Sequence, residues 1–103
     1  MKLSIKDRII LIYLVSGIKG RYIEMLLIKA IIASIEFSKE EIAELGMIDG
    51  PKGPEWDPKK GHDKEVEFSE AEKSIISSRL KQLDESGDLT LELLPIWDKF
   101  FLS

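Results

Sequence analysis

The chain has 103 residues, 44% of them hydrophobic and 33% charged, with a formal net charge of −4. That composition describes one small globular domain, residues 1–103, with a modest core, and excludes a disordered chain. The acidic balance counts against a general nucleic-acid binder, and the lack of cysteine excludes disulfides and thiolate metal sites.

The charge is unevenly spread. Residues 1–35 are strongly apolar and carry +4, from six basic and two acidic residues, whereas residues 36–103 carry −8. The outline of a signal peptide is present at the start, but the apolar run 9–15 is at the short limit and Asp7 sits in the leading segment. A membrane span needs about 20 apolar residues. Lys19 and Arg21 separate the two apolar segments, and Glu24 and Lys29 interrupt the second. A buried helical hairpin accounts for both segments.

Taken in order, Ser4 is placed to cap a first helix with Asp7 closing a capping box, and that helix runs to about Ser16. Residues 9–15 are apolar all round, the mark of a helix buried on most sides. Gly17 and Gly20 punctuate the chain and are expected to supply positive φ in the connecting turn. A second helix follows from Arg21 to about Ser34, with Leu27, Ile28, Ile31, Ile32 and Ile35 at helical spacing and Glu24 on another face. Glu36 and Phe37 form a short extended link. Ser38 caps a third, short helix, with Glu41 closing its capping box and Gly46 past its end.

Residues 47–64 hold Gly50, Pro51, Gly53, Pro54, Pro58 and Gly61, and are expected to form a projecting loop folded like a hairpin around Glu55, Trp56 and Asp57. Residues 65–68 alternate like a half-buried strand. Ser69 and Glu72 start a fourth helix with an apolar stripe at Ile75, Ile76, Leu80 and Leu83, ended by Gly87. Thr90 is expected to cap a last helix bearing Leu93, Leu94, Trp97, Phe100 and Phe101, with Pro95 tolerable in its first turns. The segments 36–41 and 67–72 echo one another, each an extended pair feeding a capped helix. The echo suggests that the two extended pieces lie together as a small ribbon. The fold class is therefore mostly α with minor β.

The candidate chemistry is sparse. Gly17-Ile18-Lys19-Gly20 has the form of a phosphate-clamping GXXG loop, with Lys19 and Arg21 supplying charge. Too little chain precedes it for the fold that uses such loops, and a plain helical turn is the stronger reading. Residues 84–92 sound like a calcium loop, but the sixth and twelfth positions counted from Asp84 are Leu89 and Pro95, so the register is broken. His62, the only histidine, has Asp57, Asp63 and Glu65 nearby but no nucleophile, and reads as a solvated loop residue. A helix-turn-helix reading would make 39–45 the recognition helix, where Glu40, Glu41 and Glu44 would repel phosphates. Those acids serve better as helix caps or as a face for a basic protein. Trp97, Phe100 and Phe101 read as aromatics that dock the last helix, and Trp56 as an interface anchor.

From 37 to 100 the chain resembles a group of small proteins of tailed bacteriophages and prophages. The resemblance is carried by Phe37-Ser38-Lys39-Glu40-Glu41-Ile42 with Leu45-Gly46, Trp56-Asp57, Glu67-Phe68-Ser69-Glu70-Ala71-Glu72, Leu80-Lys81-Gln82-Leu83-Asp84-Glu85, Leu89-Thr90 and Lys99-Phe100. It covers roughly two-thirds of the chain, is a pattern of helix starts and core positions, and matches the first 35 residues less well. It implies an accessory or regulatory role inside a bacterial cell, and neither an activity nor catalytic residues.

The leading expectation is a non-enzymatic, cytoplasmic protein that binds another protein, without cofactor or metal. More than a dozen Leu and Ile residues crowd positions 3–35. Where the C-terminal half cannot cover them, a symmetric dimer through the first two helices is the natural remedy. The interaction candidates are Lys19, Arg21, Glu40, Glu41, Glu44 and Trp56. The alternative is a nucleic-acid-associated regulator using the basic turn at 17–21.

Overall fold

A computed structural model describes residues 1–102. The elements in order are β1 (Lys2–Leu3), α1 (Ile5–Ser16), α2 (Tyr22–Ile35), α3 (Lys39–Leu45), β2 (Ile48–Gly50), β3 (Gly53–Glu55), β4 (Lys64–Glu65), α4 (Glu70–Ser86), a 3₁₀ turn (Leu91–Leu93) and α5 (Leu94–Phe101). The fold is mostly α with minor β, as the sequence implies.

The helix starts follow their local chemistry. Ser4, Ser38 and Ser69 each accept a hydrogen bond from the backbone N–H three residues on, while Asp7, Glu41 and Glu72 reach back to the cap's own N–H. Each box satisfies two donors that the helix itself cannot. Two helix ends are equally local. Gly46 and Gly87 take left-handed φ of 62° and 75°, where any other residue is strained. After Gly87, Asp88 N–H closes on the Leu83 carbonyl at 2.7 Å.

The core gathers Leu3, Leu11, Leu14 and Val15 from the start of the chain. Ile28, Ile31 and Ile35 come from α2, Val66 and Phe68 from the segment before α4, Ile76 and Leu80 from α4, and Ile96 from α5. Of the expected stripes, Ile28, Ile31 and Ile35 of α2 and Ile76 and Leu80 of α4 are buried, Ile32, Ile75 and Leu83 pack half-buried against them, and Leu27 is half-buried outside this cluster. The terminal aromatics dock as expected: Phe100 lies 5.9 Å from Phe68, and Trp97 packs 4.3 Å from Phe101, ring centre to ring centre.

Five expectations need correction. The segments 36–37 and 67–68 do not pair. Instead β1 pairs antiparallel with β4, Lys2 opposite Glu65, and β2 with β3, Ile48 opposite Glu55. The ladder at 65–68 stops at Glu65, although Val66 and Phe68 are buried and Glu65 and Glu67 exposed, so the alternation survives without the strand. The hairpin turns at Pro51 and Lys52, before Glu55 rather than around it. Thr90 caps only the 3₁₀ turn, without a side-chain bond, and Pro95 opens α5. Finally, positive φ among the described residues is confined to Gly46, Gly53 and Gly87, so Gly17 and Gly20 do not supply it. Gly20 instead leaves room for the Glu24 carboxylate, which would lie 3.0 Å from an added Cβ.

α1 is tied to the chain beyond α2 by Arg8, which is 1% exposed. Its Nε donates to the Ile35 carbonyl at 2.9 Å, and one terminal nitrogen donates to the Glu36 carbonyl at 2.8 Å. The same guanidinium grips the Glu41 carboxylate with bonds of 2.8 and 3.2 Å, and lies 4.0 Å from the centre of the Phe37 ring. Arg8→Ala would leave two carbonyls and a carboxylate without their donor, so a loss of about 3–5 kcal/mol is expected. Arg8→Lys should recover only a small part, since a point charge cannot reproduce the fork. Chemical denaturation of the three proteins checks both statements.

Candidate functional site

Two regions of the surface concentrate residues with binding potential. The first is a cleft of about 390 Å³ between α1, α3 and the segment 60–65, lined by Ile5, Arg8, Glu41, Glu44, Lys60, His62, Asp63 and Glu65 among others. It is built of opposed charges, and its one buried cation already has its donors engaged by Ile35, Glu36 and Glu41. His62 is exposed at its edge. Among the described residues no three His, Asp or Glu lie close enough together to hold a metal ion. Trp56 is half-buried in a neighbouring shallow cleft with Ile5, Pro58 and Gly61.

The second region is the outer face of α2. One face of this helix turns Ile28, Ile31 and Ile35 into the core, and the opposite face carries Ile23, Leu26, Ala30 and Ala33, all exposed. Tyr22 is 78% exposed, Ile23 64% and Leu26 42%. The spacing 23, 26, 30, 33 is a second apolar stripe at alternating three- and four-residue steps, the arrangement of a helix that expects another helix. Exposed Lys19 and Arg21 stand at its N-terminal end, and exposed Glu36 and Glu40 at the other. α1 contributes less than its composition suggests: Tyr13 is 66% exposed, while Leu11, Leu14 and Val15 are buried.

The six residues singled out from the sequence do not converge. Lys19 and Arg21 lie before α2, while Glu40 and Glu44 are exposed on α3, about 20 Å away along a helix of fourteen residues. Glu41 is not a free surface acid, because Arg8 holds it. At the basic turn, the Glu24 carboxylate accepts from Arg21 N–H at 3.0 Å and so occupies the position a phosphate would take at that helix start. The apolar stripe was not among the sequence candidates. Its signal, the 23, 26, 30, 33 spacing, is masked because it runs beside the larger Leu27, Ile28, Ile31, Ile32 and Ile35 series.

The acidic calcium-like segment falls apart structurally as well: α4 runs through Ser86, so Asp84 and Glu85 belong to a helix. The seven-residue α3 is likewise a poor recognition helix, with Glu40 and Glu44 outward. Compared with known protein families, curated proteins and solved structures, the chain finds no match.

Electrostatics in the cleft is dominated by one pair. Hydrogen bonding to Arg8 lowers the Glu41 carboxyl from its ordinary 4.5 to about 2, against the opposing effect of burial and with help from the Ser38 N–H. The folded value lies below the unfolded one. The pair's stabilisation is therefore fully present above pH 4.5 and lost as pH falls towards 2. Glu41→Gln should cost about 1.5–3 kcal/mol at neutral pH, towards the lower end because the side chain is partly open to solvent. Thermal melts from pH 7 down to pH 2.5 should show the two proteins converging below pH 5; parallel curves would mean that Glu41 does not carry the acid sensitivity.

Proposed function

We propose that the chain is a non-enzymatic interaction protein that docks another protein on the outer face of α2. The observation that carries the reading is the exposure of Tyr22, Ile23 and Leu26 on a helix whose opposite face is fully used by the core. Exposed large apolar side chains scattered singly need no explanation. Tyr13, Ile48, Leu91 and Leu102 are exposed elsewhere, but Tyr22, Ile23 and Leu26 cluster on one helix flanked by charge, which is the anatomy of a docking surface: an apolar centre with a polar rim.

The resemblance of residues 37–100 to small tailed-phage proteins supports an accessory or regulatory role in the bacterial cytoplasm. No helix among the described residues is long and apolar enough to cross a membrane.

A second reading keeps nucleic acid as the ligand of Lys19 and Arg21, both exposed at the same end of α2. It is weaker, because Glu24 already neutralises that helix start. A labelled-DNA or RNA mobility shift at low salt that disappears in the Lys19→Ala/Arg21→Ala protein would revive it.

The docking reading is tested with a photo-crosslinking residue at position 23, or at exposed Lys73 on α4 for comparison, in bacterial cells. Adducts with protein are expected from position 23 and not from position 73. Equal yields, or none from position 23, would overturn it.

A further inference from the structure

We infer that the outer face of α2 pairs with the same face of a second copy, antiparallel, about a two-fold axis at the level of Ile28. The inference rests on the docking reading above and names its occupant. Three features of the stripe point to self-pairing.

The first is size. Ile23 and Leu26 occupy its N-terminal half, and Ala30 and Ala33 its C-terminal half. An antiparallel pairing sets Ile23 against Ala33 of the second copy and Leu26 against Ala30. Every large side chain then meets a small one, and the helices approach closely along their whole contact. A parallel pairing would crowd Leu26 on Leu26 and leave a gap at the alanines.

The second is charge. The basic end, Lys19 and Arg21, lies before the stripe, and exposed Glu36 lies just past it. Reversal of one copy brings Arg21 beside Glu36 of the other, twice, by symmetry. The helix dipoles also run in opposite directions. Lys29 flanks the centre of the seam, where its stem covers apolar surface and its ammonium reaches water.

The third is accessibility. Tyr22, Ile23, Leu26, Ala30 and Ala33 are exposed from one end of the helix to the other. The stripe is also self-complementary. A two-fold dimer uses the same patch on both subunits, so the patch must fit itself.

The test combines mass, charge reversal and register. Size-exclusion chromatography with light scattering on the full chain at high micromolar concentration should give twice the monomer mass. Leu26→Glu should weaken self-association on the order of a hundredfold, roughly tenfold per copy. Its circular dichroism should be unchanged, since Leu26 faces away from the core. Arg21→Glu and Glu36→Arg should each weaken the dimer, and the two together should restore it. The native chain has no cysteine, so engineered disulfides report geometry directly. Mixed Leu26→Cys and Ala30→Cys proteins should cross-link to each other faster than either does to itself. A preference for the Leu26→Cys homodimer would overturn the antiparallel register. A monomer at high micromolar concentration would overturn self-pairing altogether. In that case an adduct of another protein at position 23 would leave the docking reading standing, and no adduct would remove both.

Discussion

The architecture depends on one buried cation. Arg8 reaches from the first turns of α1 to the last carbonyls of α2 and to the first turn of α3, and so fixes three consecutive helices at one point. Burying a guanidinium is expensive unless each donor is met, and here the carbonyls of Ile35 and Glu36 and both oxygens of Glu41 meet it. Glu41 is used twice: its carboxylate also accepts from Ser38 N–H at 3.2 Å, closing the capping box of α3. The start of α3 and its tether to α1 are therefore one network.

That clasp explains why α2 has a bare side. With its C-terminal end held by Arg8 and its inner face filled by Ile28, Ile31 and Ile35 against α1 and α4, the helix leaves Tyr22, Ile23, Leu26, Ala30 and Ala33 exposed. The C-terminal elements are drawn elsewhere. α5 packs its aromatics against α4 and Phe68, and Lys99 donates to the Lys2 carbonyl at 2.9 Å and lies 3.7 Å from Asp7. The acidic half closes the open end of α1 and leaves the outer side of α2 alone. The apolar excess of residues 1–35 is thus only partly absorbed: Tyr13 stays exposed on α1, and Tyr22, Ile23 and Leu26 on α2.

The acidic half divides the same way between structure and surface. Glu41 and Glu72 are cap acids whose positions are dictated by backbone donors, and Glu41 is further spent on Arg8. Glu40, Glu44 and Glu36 have no such duty visible in their backbone geometry and face solvent. Net charge on this chain therefore overstates what is available for recognition, because part of it is consumed in building helix starts.

Much of the fold was legible in the sequence because it is locally encoded. Three Ser-x-x-acid boxes and two terminal glycines set helix limits through bonds within six residues, and the stripes on α2 and α4 follow from periodicity alone. What sequence could not settle was everything that needs distant partners. The strand pairing β1 with β4 joins residues some sixty positions apart, and no local pattern distinguishes it from a ribbon of 36–37 with 67–68. Arg8 looked like one charge in a mildly basic segment, since an arginine destined for burial has the same local pattern as one left in water. For α2 the sequence determined that a helix would form and that the Ile28, Ile31, Ile35 series would be its core stripe. Only the tertiary structure decided that the 23, 26, 30, 33 stripe would stay exposed, because what covers a helix face is set by elements distant in the chain.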